Sequence, residues 1–116
     1  MTLDEIRSFC LSLKGVTEDL PFDEETLAFR VGGKIFVLTS ISEPKTVNLK
    51  CDPDRAVDLR ERFPDDIFPG FHMNKKHWNT VSVMGSLDHK QIRELIQHSY
   101  SLVLDSLSKN VKATLI

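Results

Sequence analysis

Apolar positions along the chain switch between helical and extended spacing. Ile6, Phe9, Cys10 and Leu13 recur at helical intervals behind Thr2 and Glu5, a capping-box pair, and Gly15 supplies a left-handed stop, which predicts a short amphipathic helix. After Leu20-Pro21-Phe22 and an acidic turn from Asp23 to Glu25, LAFRVGGKIFVLT reads as two alternating segments joined by Gly32-Gly33. A two-residue glycine loop tolerates positive φ twice and is a strong hairpin signal. With Val31 opposite Lys34, the pairs Phe29/Phe36 and Leu27/Leu38 share one face, while Arg30/Ile35 and Ala28/Val37 share the other. The first face is core. The second is half apolar, which predicts a cover or a partner over it.

TVNLKC continues the alternation as a third strand, with Val47, Leu49 and Cys51 on one side and Thr46, Asn48 and Lys50 on the other. Asp52 as N-cap and Pro53 at the first helical position open a second helix with Ala56, Leu59 and Phe63 inward, and Pro64 ends it. Asp65 to Gly70 reads as a loop. HWNTVSVM reads as a fourth strand, with Trp78, Thr80 and Ser82 on one face and Val81 and Val83 on the other. Asp88 with Gln91 starts a final helix of roughly five turns, whose inner side is Ile92, Leu95, Ile96, Ser99, Leu102, Val103 and Ser106. Order is expected nearly to the end of the chain, with Asn110 to Ile116 as the exception. Helix, three strands, helix, strand, helix predicts a two-layer α+β domain over residues 1–116, an antiparallel sheet with helices packed on one face and the other face open.

Composition changes this picture little. The 116 residues are 41% hydrophobic and 28% charged, ordinary for one globular domain, with no repeat and no low-complexity run. The first ten residues lack the basic and apolar regions of a secretory signal, and no apolar run reaches the length of a membrane span, so a cytoplasmic location is expected. Cys10 and Cys51 share no CxxC spacing and are read as reduced, packed thiols. A net charge of −2 argues against nucleic-acid binding by the molecule as a whole. Any such role must rest on a local basic patch.

Catalytic signatures are missing: there is no GxSxG, P-loop, Rossmann fingerprint or HExxH. Cys51 with His72 or His77 could be imagined as a thiol and base pair, but Cys51 falls on the apolar side of its strand. His72 and His77 are five apart across a loop, unlike zinc-ligand spacings, so neither metal nor cofactor is expected. His89, His98 and the turn acids Asp23, Glu24, Glu25, Asp65 and Asp66 are read as solvated or surface groups, and Ser99-Tyr100 as packing with a buried hydroxyl bond. The stretch PGFHMNKKHWNT, Pro69 to Thr80, stands apart, with two histidines, two lysines, two asparagines and the only tryptophan of the chain. If the valines of the fourth strand join the core, Trp78 faces outward beside Asn48 and Lys50, as a binding surface for phosphates, bases or a protein would require.

PFDEETLAFRVGGKIFVL, LKCDPDRAVDLRERFP, PGFHMNKKHWNTV and ELIQHSYSLV together resemble the MmcQ/YjbR family over nearly the whole chain. That resemblance implies a frataxin-like α+β fold and a DNA-binding role without catalysis, in a double-wing arrangement. The wings would be the Gly32-Gly33 hairpin and the loop before His77. The implied contact residues are Lys34, Lys45, Lys50, Asn74, Lys75, Lys76, His77 and Trp78. The alternative is a protein-interaction adaptor using Ile35, Val37 and Trp78 on the half-apolar face. An enzyme or metal protein centred on His72, His77 and Cys51 ranks last, and either a monomer or a weak dimer is expected.

Overall fold

The computed structural model of the chain describes residues 1–70 and 73–115. In chain order the elements are α1 (Leu3–Ser12), β1 (Val16–Asp19), β2 (Thr26–Val31), β3 (Lys34–Ser40), β4 (Thr46–Lys50), α2 (Pro53–Arg62), β5 (Ile67–Pro69), β6 (Trp78–Ser82), α3 (His89–Ser106) and α4 (Lys109–Thr114). The strands form one antiparallel sheet in the order β1-β2-β3-β4-β6-β5. This is the expected α+β architecture, with two additional edge strands and a further helix.

Local sequence sets the helix starts. Thr2 and Glu5 exchange side-chain and backbone bonds at the head of α1, Asp88 and Gln91 do the same for α3, and Asp52 caps α2 with Pro53 in its first turn. Each cap satisfies N–H groups that the helix itself leaves without partners. The main core lies between the helices and one sheet face: Ile6 and Cys10 of α1 and Ile92, Ile96 and Val103 of α3 meet Phe29, Val31, Phe36, Val37, Val47 and Val81. Past Ser99 the buried stripe of α3 continues through Tyr100 and Val103 to Leu107, whereas Leu102 is half-buried and Ser106 exposed, contrary to the sequence reading. The Tyr100 ring meets Phe36 edge-on and its hydroxyl donates to the Lys14 carbonyl at 2.6 Å.

Three further expectations need correction. Asp65 to Gly70 is not all loop, because Ile67–Pro69 pairs with Val81, Thr80 and Asn79 as the edge strand β5. The terminal segment is helical: Ser108 caps α4, and Val111 and Leu115 pack against the core. The hairpin register holds from the turn to Arg30/Ile35 and then slips, so that Phe29 faces Val37, Ala28 faces Leu38 and Leu27 faces Thr39. Phe36 is the extra residue of a β-bulge, which exchanges the faces of all that follows it on β3. Val37, expected on the open face, is fully buried among the core residues, and Leu38 takes its place on the other side.

The bulge is held from the helix layer. Ser99 Oγ donates to the Phe36 carbonyl at 2.6 Å and accepts from the Lys50 N–H at 2.9 Å, supplying partners to two backbone groups at the point where β3 and β4 part. Among the described residues no buried side-chain nitrogen or oxygen lacks a partner.

Candidate functional site

Strand register fixes where the candidate residues stand. Lys50 pairs with Trp78 and Asn48 with Thr80, so these four share the sheet face away from the main core, as the alternation predicted. Thr80 Oγ1 donates to Asn48 Oδ1 at 2.6 Å. Lys50 and Trp78 lie at the end of the sheet that carries the Gly32-Gly33 turn, since β3 and β4 run from Val37/Leu49 there to Thr39/Val47 away from it. The 70–77 connection leaves the same end, because Pro69 pairs with Asn79. The two loops are three strand spacings apart, about 14 Å.

Not all eight residues come together. Lys45 precedes Thr46 at the opposite end of β4, where its carbonyl accepts from the Val83 N–H. Lys34 pairs with Val31, a core residue, and therefore stands on the helix side of the turn. The Gly32-Gly33 turn is itself buttressed: a Cβ on Gly32 would lie 2.5 Å from Leu107 Cδ1. Lys50, Asn74, Lys75, Lys76, His77 and Trp78 remain as one neighbourhood. Asn74, Lys75 and Lys76 are exposed, and His77 and Trp78 half-buried.

Loop geometry explains much of the PGFHMNKKHWNT string. The Asn74 side-chain oxygen accepts from the Lys76 N–H at 2.9 Å, and its carbonyl accepts from the N–H groups of His77 and Trp78, an Asx-type turn that aims both lysines outward. Gly70 donates to the Trp78 carbonyl at 2.9 Å, and any Cβ on it would sit 2.8 Å from Trp78 Cβ. A residue other than glycine would push the two chains apart.

Two residues of this site escaped the sequence reading. Arg60 of α2 donates through Nε to Asn79 Oδ1 at 2.7 Å and through Nη2 to the Lys75 carbonyl, and Asn79, almost fully buried, also reaches the Ala56 carbonyl. Arg60 therefore fastens the lysine loop to the helix layer and adds a cation beside it. Among the described residues none of Lys34, Lys45, Lys50, Lys75 and Lys76 takes part in an ion pair; Arg7–Glu18, Arg30–Asp19, Arg62–Asp58 and His89–Glu5 are the pairs found.

The thiol and imidazole groups nearby have structural surroundings. Cys51 is buried, and burial pushes its thiol up, away from reactivity. Cys10 is pushed up to about 12 by the same cause. His98 accepts from the Asp52 N–H at 3.2 Å, and burial, with the Arg55 charge, holds its imidazole below the ordinary range. His77 meets Cys51 through the backbone, its carbonyl accepting from the Cys51 N–H at 2.7 Å. The imagined pairing of Cys51 with His72 falls outside the described residues. Among the described residues no three His, Cys, Asp or Glu groups are placed to hold a metal ion, and no helix is long and apolar enough to cross a membrane.

The rest of this sheet face is partly covered. Ala28, Leu38 and Thr80 are buried, and a cleft of about 400 Å³ opens over Leu38 and Asn48, with Phe22 and Met73 also in its lining. With Val37 in the core, the adaptor surface of Ile35, Val37 and Trp78 does not form.

A family model described as YjbR matches residues 11–102. The uncharacterised protein YjbR of Escherichia coli K12 is 30% identical over 117 aligned positions, covering 100% of this chain and 98% of that protein. The uncharacterised protein YbdF of Escherichia coli O157:H7 is 41% identical over 90, covering 77% and 73%. Among solved structures, protein DR2400 of Deinococcus radiodurans, assigned to domain DUF419, superimposes with a TM-score of 0.92 at 40% identity, covering 98% of this chain and 87% of that one. A Pseudomonas syringae protein gives 0.74 at 27% identity, covering 89% and 99%.

Proposed function

The chain belongs to the YjbR family, and from that premise we propose that it is a cytoplasmic, non-enzymatic DNA-binding protein whose contact surface is the turn end of its sheet. The observation that carries the reading is the set Lys50, Lys75 and Lys76, without ion-pair partners among the described residues, beside the half-buried indole of Trp78. Unpaired ammonium groups are free to replace the counterions of a phosphate backbone. The indole offers a stacking surface, and the NH₂ of Asn74, without a partner among the described residues, offers a donor to sugar or base. The spacing of the two loops, about 14 Å, is close to the roughly 12 Å width of a major groove, which supports a straddling contact.

The electrostatics set the strength. Three phosphate contacts give a log–log salt slope of roughly −2.7, so binding is weak at physiological salt and readily detected near 50 mM. Trp78, as the only tryptophan, reports occupancy through its own fluorescence when a duplex oligonucleotide is titrated in. Lys75→Ala with Lys76→Ala leaves the Arg60 bond to the Lys75 carbonyl in place and is expected to flatten the slope to about −0.9. No quenching by duplex DNA at low salt, or an unaltered slope in the double variant, refutes the proposal.

A further inference from the structure

We propose that the cleft over Leu38 and Asn48 is a separate binding site for a small organic cation, an ammonium or guanidinium group carried on an apolar body. Its volume of about 400 Å³ falls within the roughly 300–1,000 Å³ typical of small-molecule sites. Phe22 lines it and is 68% exposed, so its ring face is open to a ligand. Met73 and Leu38 add apolar surface to the lining.

Glu25 supplies the selectivity. Among the described residues lining the cleft it is the sole ionisable group, so the described lining carries one negative charge and no cation. Its Oε1 accepts from Ser40 Oγ at 2.8 Å and from the Ser42 N–H at 2.6 Å, and the Ser42 hydroxyl bonds the carboxylate as well, which fixes it in place. Bonds from the Ser42 hydroxyl, the Ser42 N–H and the Ser40 hydroxyl hold Glu25 below the usual carboxylate range, and Asp23 beside it is held down by the Glu25 and Thr26 N–H groups. Both are charged at neutral pH. An anion placed here would meet the Glu25 carboxylate with Asp23 close by in sequence, and a neutral ligand would leave the Glu25 charge to water. A cation satisfies the carboxylate while its body covers Phe22 and Leu38, and the Phe22 ring adds a cation–π attraction. The site does not draw on the lysine surface, because Lys50, Lys75, Lys76 and Trp78 do not line it and Lys45 stands outside it.

The test uses the full chain and three probes with one phenethyl body: phenethylammonium with phenethylguanidinium as the cations, 2-phenylethanol as the neutral form, and 3-phenylpropanoate as the anion. Binding is followed by amide shifts in ¹⁵N spectra. The cations are expected to bind about tenfold more tightly than the alcohol, with the carboxylate weakest, and to shift the signals of residues 22–26 and 38–48. Glu25→Gln, which keeps an oxygen for Ser40 and Ser42, is expected to abolish the preference while leaving the melting temperature near that of the parent. Phe22→Ala weakens all probes, and Lys75→Ala with Lys76→Ala changes nothing. Equal binding of the carboxylate, a preference that survives Glu25→Gln, or no binding of either cation up to about 10 mM overturns the proposal. Failure of DNA binding leaves it untouched.

Discussion

Replacing Ser99 by alanine removes a single hydroxyl and strands two backbone groups, the Phe36 carbonyl and the Lys50 N–H. An unsatisfied buried donor or acceptor costs about 1–3 kcal/mol, and Lys50 lies on a half-buried strand where water relieves part of the loss. The expected destabilisation is therefore about 2–4 kcal/mol. With an unfolding entropy of about 0.24 kcal/mol/K for a chain of this length, that lowers Tm by roughly 8–16 °C. Urea titration measures it directly, as a lower midpoint at constant slope. Ser106→Ala is the control, since that hydroxyl bonds only the Val103 carbonyl of its own helix, and a change within about 0.5 kcal/mol is expected. Hydrogen exchange gives a local readout, with the Lys50 amide losing protection in Ser99→Ala. A loss no larger than the control's, or a Lys50 amide still protected, refutes the idea that Ser99 holds the bulge.

Three other outcomes follow from the same geometry. Gly33→Ala, at φ +81° with nothing within 4 Å of the new Cβ, is expected to cost about 1 kcal/mol, whereas Gly32→Ala adds a clash with Leu107 and costs about 2–3 kcal/mol more, both read by urea denaturation. His98 titrates below its ordinary 6.5 in the fold, so the unfolded chain takes up the proton first, and stability is lost as pH falls from above 6.5 through the folded value. His98→Gln is expected to flatten that part of the Tm–pH profile; an unchanged profile excludes His98 as its source. Cys10 and Cys51 are both free and buried, so a thiol reagent at pH 8 is expected to label neither within minutes in the native protein and both after denaturation.

Much of the fold was legible because its signals are local. The capping pairs Thr2/Glu5 and Asp88/Gln91, the Asp52-Pro53 start and the Gly32-Gly33 turn each act within a few residues, and the structure carries all four. The missed elements owe their shape to distant partners. β1 is four residues whose Glu18 is held by Arg7 of α1, and β5 is three residues that exist by pairing with β6. The bulge depends on a serine 63 positions away, and no hairpin pattern encodes it. Within the site, alternation correctly placed Lys50 and Trp78 on one face. It gave no indication of Arg60, which in RAVDLRER reads as an ordinary solvated arginine until Asn79 and the Lys75 carbonyl are brought beneath it.

Arg60 also links movements that would otherwise be independent. One guanidinium grips both a strand and an exposed stretch of surface chain, so displacing residues 74–76 must either break that grip or drag the second helix along. A macromolecule that clamps those residues should then slow solvent exchange several residues away, in the Pro53–Arg62 backbone, where it makes no contact. Severing the tether with Arg60→Met would leave the clamp's own footprint intact and silence that remote echo.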